Sequence, residues 1–304
     1  MRGHFHALTR SAARAFAGIV LSGAFLINPL GASAVHAESG NGNGNAAAAG
    51  PCAGGAGYWM GARDGGVFTF GNADFHGSMG GQHLNSPIVG IANTPTGDGY
   101  WLAAGDGGIF TFGDAVYQGS EGAIKLNSPI VGIAASPTGL GYWMVAADGG
   151  VFAHGDAGFF GSMGGKHLNK PIVGIAPTNS GEGYYLVASD GGIFTFGDAV
   201  FRGSEGALAL NKPVVGMVAT LEDDGYYLVA SDGGIFTHGN AVFMGSEGAL
   251  ALNKPVVGMV LNFTGDGYWL VATDGGVFSH GAAPFCGSTG ALQLAQPVVA
   301  ISSF

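Results

Sequence analysis

The sequence predicts an all-β fold built from six copies of one unit, and three observations predict it. The motif Gly-Tyr-(Trp/Tyr) begins at Gly57, Gly99, Gly141, Gly183, Gly225 and Gly267, always 42 residues apart. Each unit contains four short runs rich in Val, Ile, Phe and Tyr, separated by turn residues, which is the pattern of strands. No unit shows a sustained helical period, and 60 glycines in 304 residues weaken helices throughout. A fixed period of this length marks a repeat architecture.

The unit from Pro171 to Ser204 shows each element in order. Pro-Ile-Val-Gly-Ile-Ala is the first strand and Gly-Tyr-Tyr-Leu-Val-Ala the second. Asp190-Gly191-Gly192 follows, and its equivalents begin at Asp64, Asp106, Asp148, Asp232 and Asp274. Asp-Gly tolerates positive φ at both central positions, so a type I′ hairpin is expected here. Ile-Phe-Thr-Phe is the third strand. The next turn opens with glycine, as at Gly113-Asp114, Gly239-Asn240 and Gly281-Ala282, which suits type II′. Val-Phe-Arg-Gly-Ser is expected as a fourth strand. Four strands in 42 residues is the spacing of propeller blades, so the expected fold is a six-bladed β-propeller of four-stranded blades.

The ends of the repeat array sharpen this expectation. The first unit starts at Gly57 with its second strand, and the last stretch, from Pro297 to Phe304, reads as the missing first strand. An array offset by one strand lets the C-terminal strand complete the first blade and close the ring, which removes open edges.

Residues 1–37 stand apart. Arg2, Arg10 and Arg14 precede an apolar stretch from about Ala15 to Leu30, and small residues end at Ala37. This is the pattern of a secretory signal peptide. The apolar stretch is shorter than the roughly 20 residues of a spanning helix, so no transmembrane anchor is expected after its removal. Residues 38–56 are mostly Gly, Asn and Ala, lack apolar residues to pack, and read as a flexible leader. Residues 57–304 form the expected propeller.

Three of the ten basic residues fall in the signal segment. Seven remain against twenty acids, a balance of −13. Such a balance disfavours nucleic acid and anionic lipid as partners. Many of the acids are turn residues, including Asp114, Asp156 and Asp198. Two cysteines in an exported chain suggest a disulfide, here between Cys52 before the first blade and Cys286 in the last.

Most residues that look chemical have a structural reading. In Tyr58-Trp59 and its equivalents, neighbours on a strand point to opposite faces, and both faces of a blade pack on other blades. His154, His238 and His280 occupy a position held by Phe70, Phe112 and Phe196 in the other units. They are the candidate metal ligands. Packed sheets about 10 Å apart keep equivalent residues too distant for one ion, so a half-exposed rim position is the expectation. His83 and His167 fall in connections and are expected to be solvated, as is the acidic run Glu222-Asp223-Asp224. Asn262-Phe263-Thr264 matches a glycosylation sequon. No nucleophile elbow, zinc-protease pair or phosphate loop occurs, so no catalytic residue or cofactor is assigned.

The motifs Pro-(Ile/Val)-Val-Gly, Gly-Tyr-Trp, Asp-Gly-Gly-(Val/Ile)-Phe and Gly-Asp-Ala-x-Phe-x-Gly-Ser together resemble a repeat of exported proteins in mycobacteria and other actinobacteria. The resemblance spans Gly57 to Phe304. It implies propeller blades and an envelope or extracellular setting, and it carries no functional residues with it. The expected function is a secreted, non-enzymatic binding or scaffold module whose partner is a cell-envelope glycan or another exported protein. The alternatives are a secreted hydrolase of sugars or esters, marked by carboxylates or histidines gathered at the channel, and a self-associating surface protein.

Overall fold

A computed structural model describes residues 52–304, so the signal segment and most of the leader lie outside the described residues. In chain order the strands are β1 (Gly57–Ala62), β2 (Val67–Gly71), β3 (Ile88–Asn93), β4 (Gly99–Ala104), β5 (Ile109–Gly113), β6 (Ile130–Ala135), β7 (Gly141–Ala146), β8 (Val151–Gly155) and β9 (Ile172–Pro177). They continue as β10 (Gly183–Ala188), β11 (Ile193–Gly197), β12 (Val214–Ala219), β13 (Gly225–Ala230), β14 (Ile235–Gly239), β15 (Val256–Leu261), β16 (Gly267–Ala272), β17 (Val277–Gly281) and β18 (Val298–Ser303). They form six antiparallel sheets of three strands each. Sheet 1 is β18-β1-β2, sheet 2 is β3-β4-β5, and the rest follow in triplets to sheet 6, β15-β16-β17. The C-terminal strand therefore pairs with β1, with Ile301 opposite Met60. The first strands touch in succession from β3 to β18, and β18 also touches β3.

The fourth run of each unit is not a strand, contrary to the sequence expectation. Its backbone groups are taken by side chains. In the segment after β2, the Trp59 indole donates to the Asp74 carbonyl at 2.7 Å. The His76 N–H donates to the Tyr100 hydroxyl at 3.2 Å, and that hydroxyl donates to the Gly77 carbonyl at 2.6 Å. Gly77 sits at φ +130°, which ends any extended run. With its polar groups satisfied this way, the segment lies beside the third strand without a ladder.

The Asp-Gly-Gly turns also differ from expectation. Asp64 does not have positive φ, whereas Gly65 does, at +82°. The Gly65 N–H donates to the Ala62 carbonyl, and the Asp64 side chain accepts the Gly66 N–H at 3.0 Å. This is a three-residue loop ending in a left-handed glycine, with the aspartate side chain bridging two residues ahead. The aspartate bond recurs at the same distance in all six copies.

The core consists of six clusters, each between consecutive sheets. The third residue of one second strand meets the second residue of the next: Trp59 with Tyr100, Trp101 with Tyr142, Trp143 with Tyr184, Tyr185 with Tyr226, Tyr227 with Tyr268, and Trp269 with Tyr58. Ring centroids lie 5.2–5.9 Å apart in tilted pairs, the geometry aromatic quadrupoles prefer.

The last residues of the segment read as a leader are ordered. Ala53–Gly55 forms a 3-10 turn, and Cys52 is buried beside Gly71. Cys52 and Cys286 lie at disulfide distance, with Cα atoms 5.3 Å apart across 234 residues of sequence. Reduction, or Cys52→Ser with Cys286→Ser, is expected to lower unfolding free energy by about 2–5 kcal/mol. The measurement is a fall in urea midpoint, with a steeper slope because the uncrosslinked unfolded chain exposes more surface.

Candidate functional site

The regular unit leaves few places where copies differ, and the histidines are the first of them. They are not half-exposed on a rim. The side chains of His154, His238 and His280 retain 13–15% exposure and sit between sheets. Each Nε2 approaches a glutamate from the preceding unit: Glu121 at 3.3 Å, and Glu205 and Glu247 at 3.2 Å. The approach is at ion-pair distance but too oblique for a hydrogen bond, so each Nε2 is buried without one. Where the ring is Phe112 or Phe196, the preceding unit places Met79 or Met163 in the same apolar cluster. The position facing Phe70 is Thr289. The exchange is therefore paired across sheets, His with Glu and Phe with Met. The sequence carried this signal, because both positions vary together at fixed spacing.

No group of three or more His, Cys, Asp or Glu side chains gathers among the described residues, so the three histidines are not brought together. His83 and His167 are exposed.

The acidic run is more structured than a solvated loop tip. Asp223 has φ +59°, where other units place glycine, and accepts the Asn179 N–H at 2.8 Å. Burial pushes its carboxyl above the ordinary value. Asp224 accepts from Arg202 at 2.6 Å. The turn aspartates also hold loops. Thr94 and Thr96 donate to the two oxygens of Asp114 at 2.8 and 2.6 Å. Burial opposes ionisation there, but these hydrogen bonds outweigh it and the Asp114 carboxyl is held low. Asn262 of the sequon is buried, and its Nδ2 donates to Thr264 and Asp266, so the amide is occupied.

The ends of all six first strands converge on one cavity of about 690 Å³. Its wall is Ile91, Ile133, Ile175, Met217 and Met259, followed by small residues such as Ala134 and Ala176. At the outlet the copies disagree. Pro177, Ala219, Leu261 and Phe263 form an apolar arc, while Asn93, Ser302 and Ser303 supply polar groups. Phe263 is 84% exposed. The Ser302 hydroxyl donates to the Asn93 side chain at 2.6 Å, which fixes that amide. Among the described residues, no Asp, Glu or His side chain lines the cavity. Concave apolar sites with a few placed polar groups are the usual form of a ligand pocket. This outlet was not legible in one unit, since it exists only where six strand ends meet.

Among the described residues, no helix is long and apolar enough to cross a membrane. No protein-family model matches the chain. No curated protein matches it either. Solved structures do. The chain is similar to the β-propeller domain of Cps50 (Swd1) from Myceliophteria thermophila, with TM-score 0.51 and 11% identity over 77% of this chain and 84% of that one. It is also similar to a protein of unknown function from Bacteroides thetaiotaomicron, with TM-score 0.51 and 13% identity over 81% of this chain and 70% of that one. At these identities the likeness shows the fold alone: an all-β, β-propeller domain of six three-stranded sheets.

The His–Glu and Phe–Met pairs yield a direct test. His238→Phe or Glu205→Met alone strands a buried polar partner and is expected to cost about 1–3 kcal/mol. The double substitution reproduces the Phe196–Met163 arrangement and is expected to recover most of that loss. A double-mutant cycle by urea unfolding measures the coupling.

Proposed function

We propose that this chain is an exported, non-enzymatic binding or scaffold propeller of the cell envelope, closed as a six-membered ring, with its ligand at the channel mouth. The observation that carries this reading is the cavity itself: apolar walls repeated from every sheet, and an outlet where the copies diverge. Its lining offers no acid–base pair, whereas a hydrolase would need carboxylates or histidines there. One apolar arc facing fixed amide and hydroxyl groups suits a surface with both characters. An envelope glycan, with apolar ring faces and hydroxyls, is one such ligand, and a side chain of another exported protein is the other. The signal segment and the repeat motifs support an envelope setting.

Ala135→Arg with Ala219→Arg would crowd the mouth from two sheets. Binding on a glycan array, or to isolated envelope fractions, is expected to fall at least about tenfold, the effect of losing roughly 1.4 kcal/mol. Unchanged binding by the folded variant would refute the mouth as the site.

Self-association is a second reading, favoured by the outer edge. Tyr117, Phe159, Phe201, Phe243 and Phe285 recur at one position of successive units and are each more than half exposed. They lie in segments that leave the third strands without a ladder partner. Repeated exposed aromatics beside open strand edges favour association. Sedimentation at increasing concentration is expected to show oligomers that Phe201→Ser with Phe243→Ser reduces. A monomer at all concentrations would remove this reading.

A further inference from the structure

A second cavity, of about 490 Å³, opens between sheets 5 and 6. Leu221, Val242 and Met244 form its apolar wall, and Glu222, Asn240 and Asp266 its polar one. The chain itself shows what can lie between sheets at this place. One unit earlier, Arg202 stands at the position of Met244 and Asp224 at the position of Asp266. There the guanidinium reaches the carboxylate at 2.6 Å. Between sheets 5 and 6 the carboxylate is retained and the internal cation is not.

Two further departures from the repeat converge on the same cavity. In the preceding unit Ser180 donates to Asp198 at 2.6 Å. The corresponding pair is Glu222 and Asn240, with the amide donating to the carboxylate at 3.5 Å. The negative charge has thus moved from the turn onto the loop that lines the cavity. Asp266 accepts from Asn262 at 2.7 Å and Thr264 at 2.5 Å, both on Oδ1. These hydrogen bonds hold its carboxyl below the usual range. Among the described residues, neither Glu222 nor Asp266 has a basic partner.

We propose that this cavity binds an ammonium or guanidinium group on an aliphatic stem, as carried by a lysine or arginine side chain of a partner protein. The stem packs on Leu221, Val242 and Met244, and the cation meets Asp266 and Glu222, as Arg202 meets Asp224 within the chain. Long basic side chains divide their stems and heads in this way, and a charged donor to a carboxylate makes the stronger hydrogen bonds. The site shares Leu221 with the channel cavity, but Glu222 and Asp266 lie outside that cavity, so the site stands whether or not the mouth binds anything.

The test uses the full mature chain and two probes, Nα-acetyl-lysine N-methylamide and its neutral analogue Nα-acetyl-norleucine N-methylamide. Backbone amide shifts of Val242 and Gly265 report occupancy. The lysine probe is expected to give saturable shifts, with the norleucine probe at least about tenfold weaker. Added salt is expected to weaken the lysine probe, since the carboxylates are open to solvent. Met244→Arg supplies the cation internally and is expected to abolish binding. Glu222→Gln with Asp266→Asn is expected to weaken it at least about fivefold. Ala135→Arg alone, on a sheet that does not line this cavity, is expected to bind the lysine probe as the unaltered chain does. Equal binding of the two probes overturns the proposal. So does an absence of saturation up to about 50 mM, far above the millimolar range of weak specific sites. Unchanged binding by folded Met244→Arg overturns it too.

Discussion

Six buried tyrosine hydroxyls hold the sheets to one another. Tyr100, Tyr142, Tyr184, Tyr226 and Tyr268 each donate to a glycine carbonyl of the preceding unit at 2.5–2.6 Å. Tyr58 does the same to Gly287, 229 residues away. Burial pushes these phenols upward, Tyr100 to about 12, so they remain protonated donors at neutral pH. The accepting glycines have φ between +126° and +136°, and in five of the six interfaces a ring packs where a Cβ would stand. One hydrogen bond thus requires the glycine, bends the fourth segment out of strand geometry, and spaces one sheet from the next.

The third-position Trp or Tyr completes the arrangement. In four units the indole donates to a carbonyl of its own fourth segment at 2.6–2.9 Å. Tyr227 uses its hydroxyl in the same place. The aromatic pair therefore packs one ring on each neighbouring sheet and spends both polar tips on irregular backbone. A buried aromatic with a polar tip needs such a partner, and an irregular segment needs its groups satisfied. Each solves the other's problem.

Function is left to positions released from this duty. At the sheet interfaces a His–Glu pair can replace Phe–Met because both fill the same gap, and each buried Nε2 has a carboxylate at 3.2–3.3 Å. At the channel outlet the last residue of each first strand still pairs with a second-strand tyrosine, yet its side chain is free to vary, and Asn93, Pro177, Leu261 and Ser303 differ without disturbing a sheet. Between sheets 5 and 6, Met244 stands where the preceding unit alone carries an arginine, Arg202, and the Asp266 carboxylate faces open space.

The strands, their order and the place of each turn were legible in the sequence because they are local. A two-residue period, glycine after aspartate, and a constant 42-residue interval act within one unit. The pairing of β18 with β1 was legible from the offset of the array ends, and the burial of each aromatic pair from strand alternation. The fourth segment was misread, because Val-Phe-x-Gly-Ser has strand composition and its hydrogen bonds go to tyrosine and tryptophan tips that a single unit does not reveal. The turn at Asp64 was placed but mistyped, since Asp-Gly serves two loop geometries and the following glycine decides between them. The contact between the co-varying His and Glu positions, the shared channel outlet, and the open counterpart of the Arg202–Asp224 pair were established by tertiary structure. Each joins side chains from different units, and contact across a sheet interface depends on packing distance, which sequence spacing does not contain.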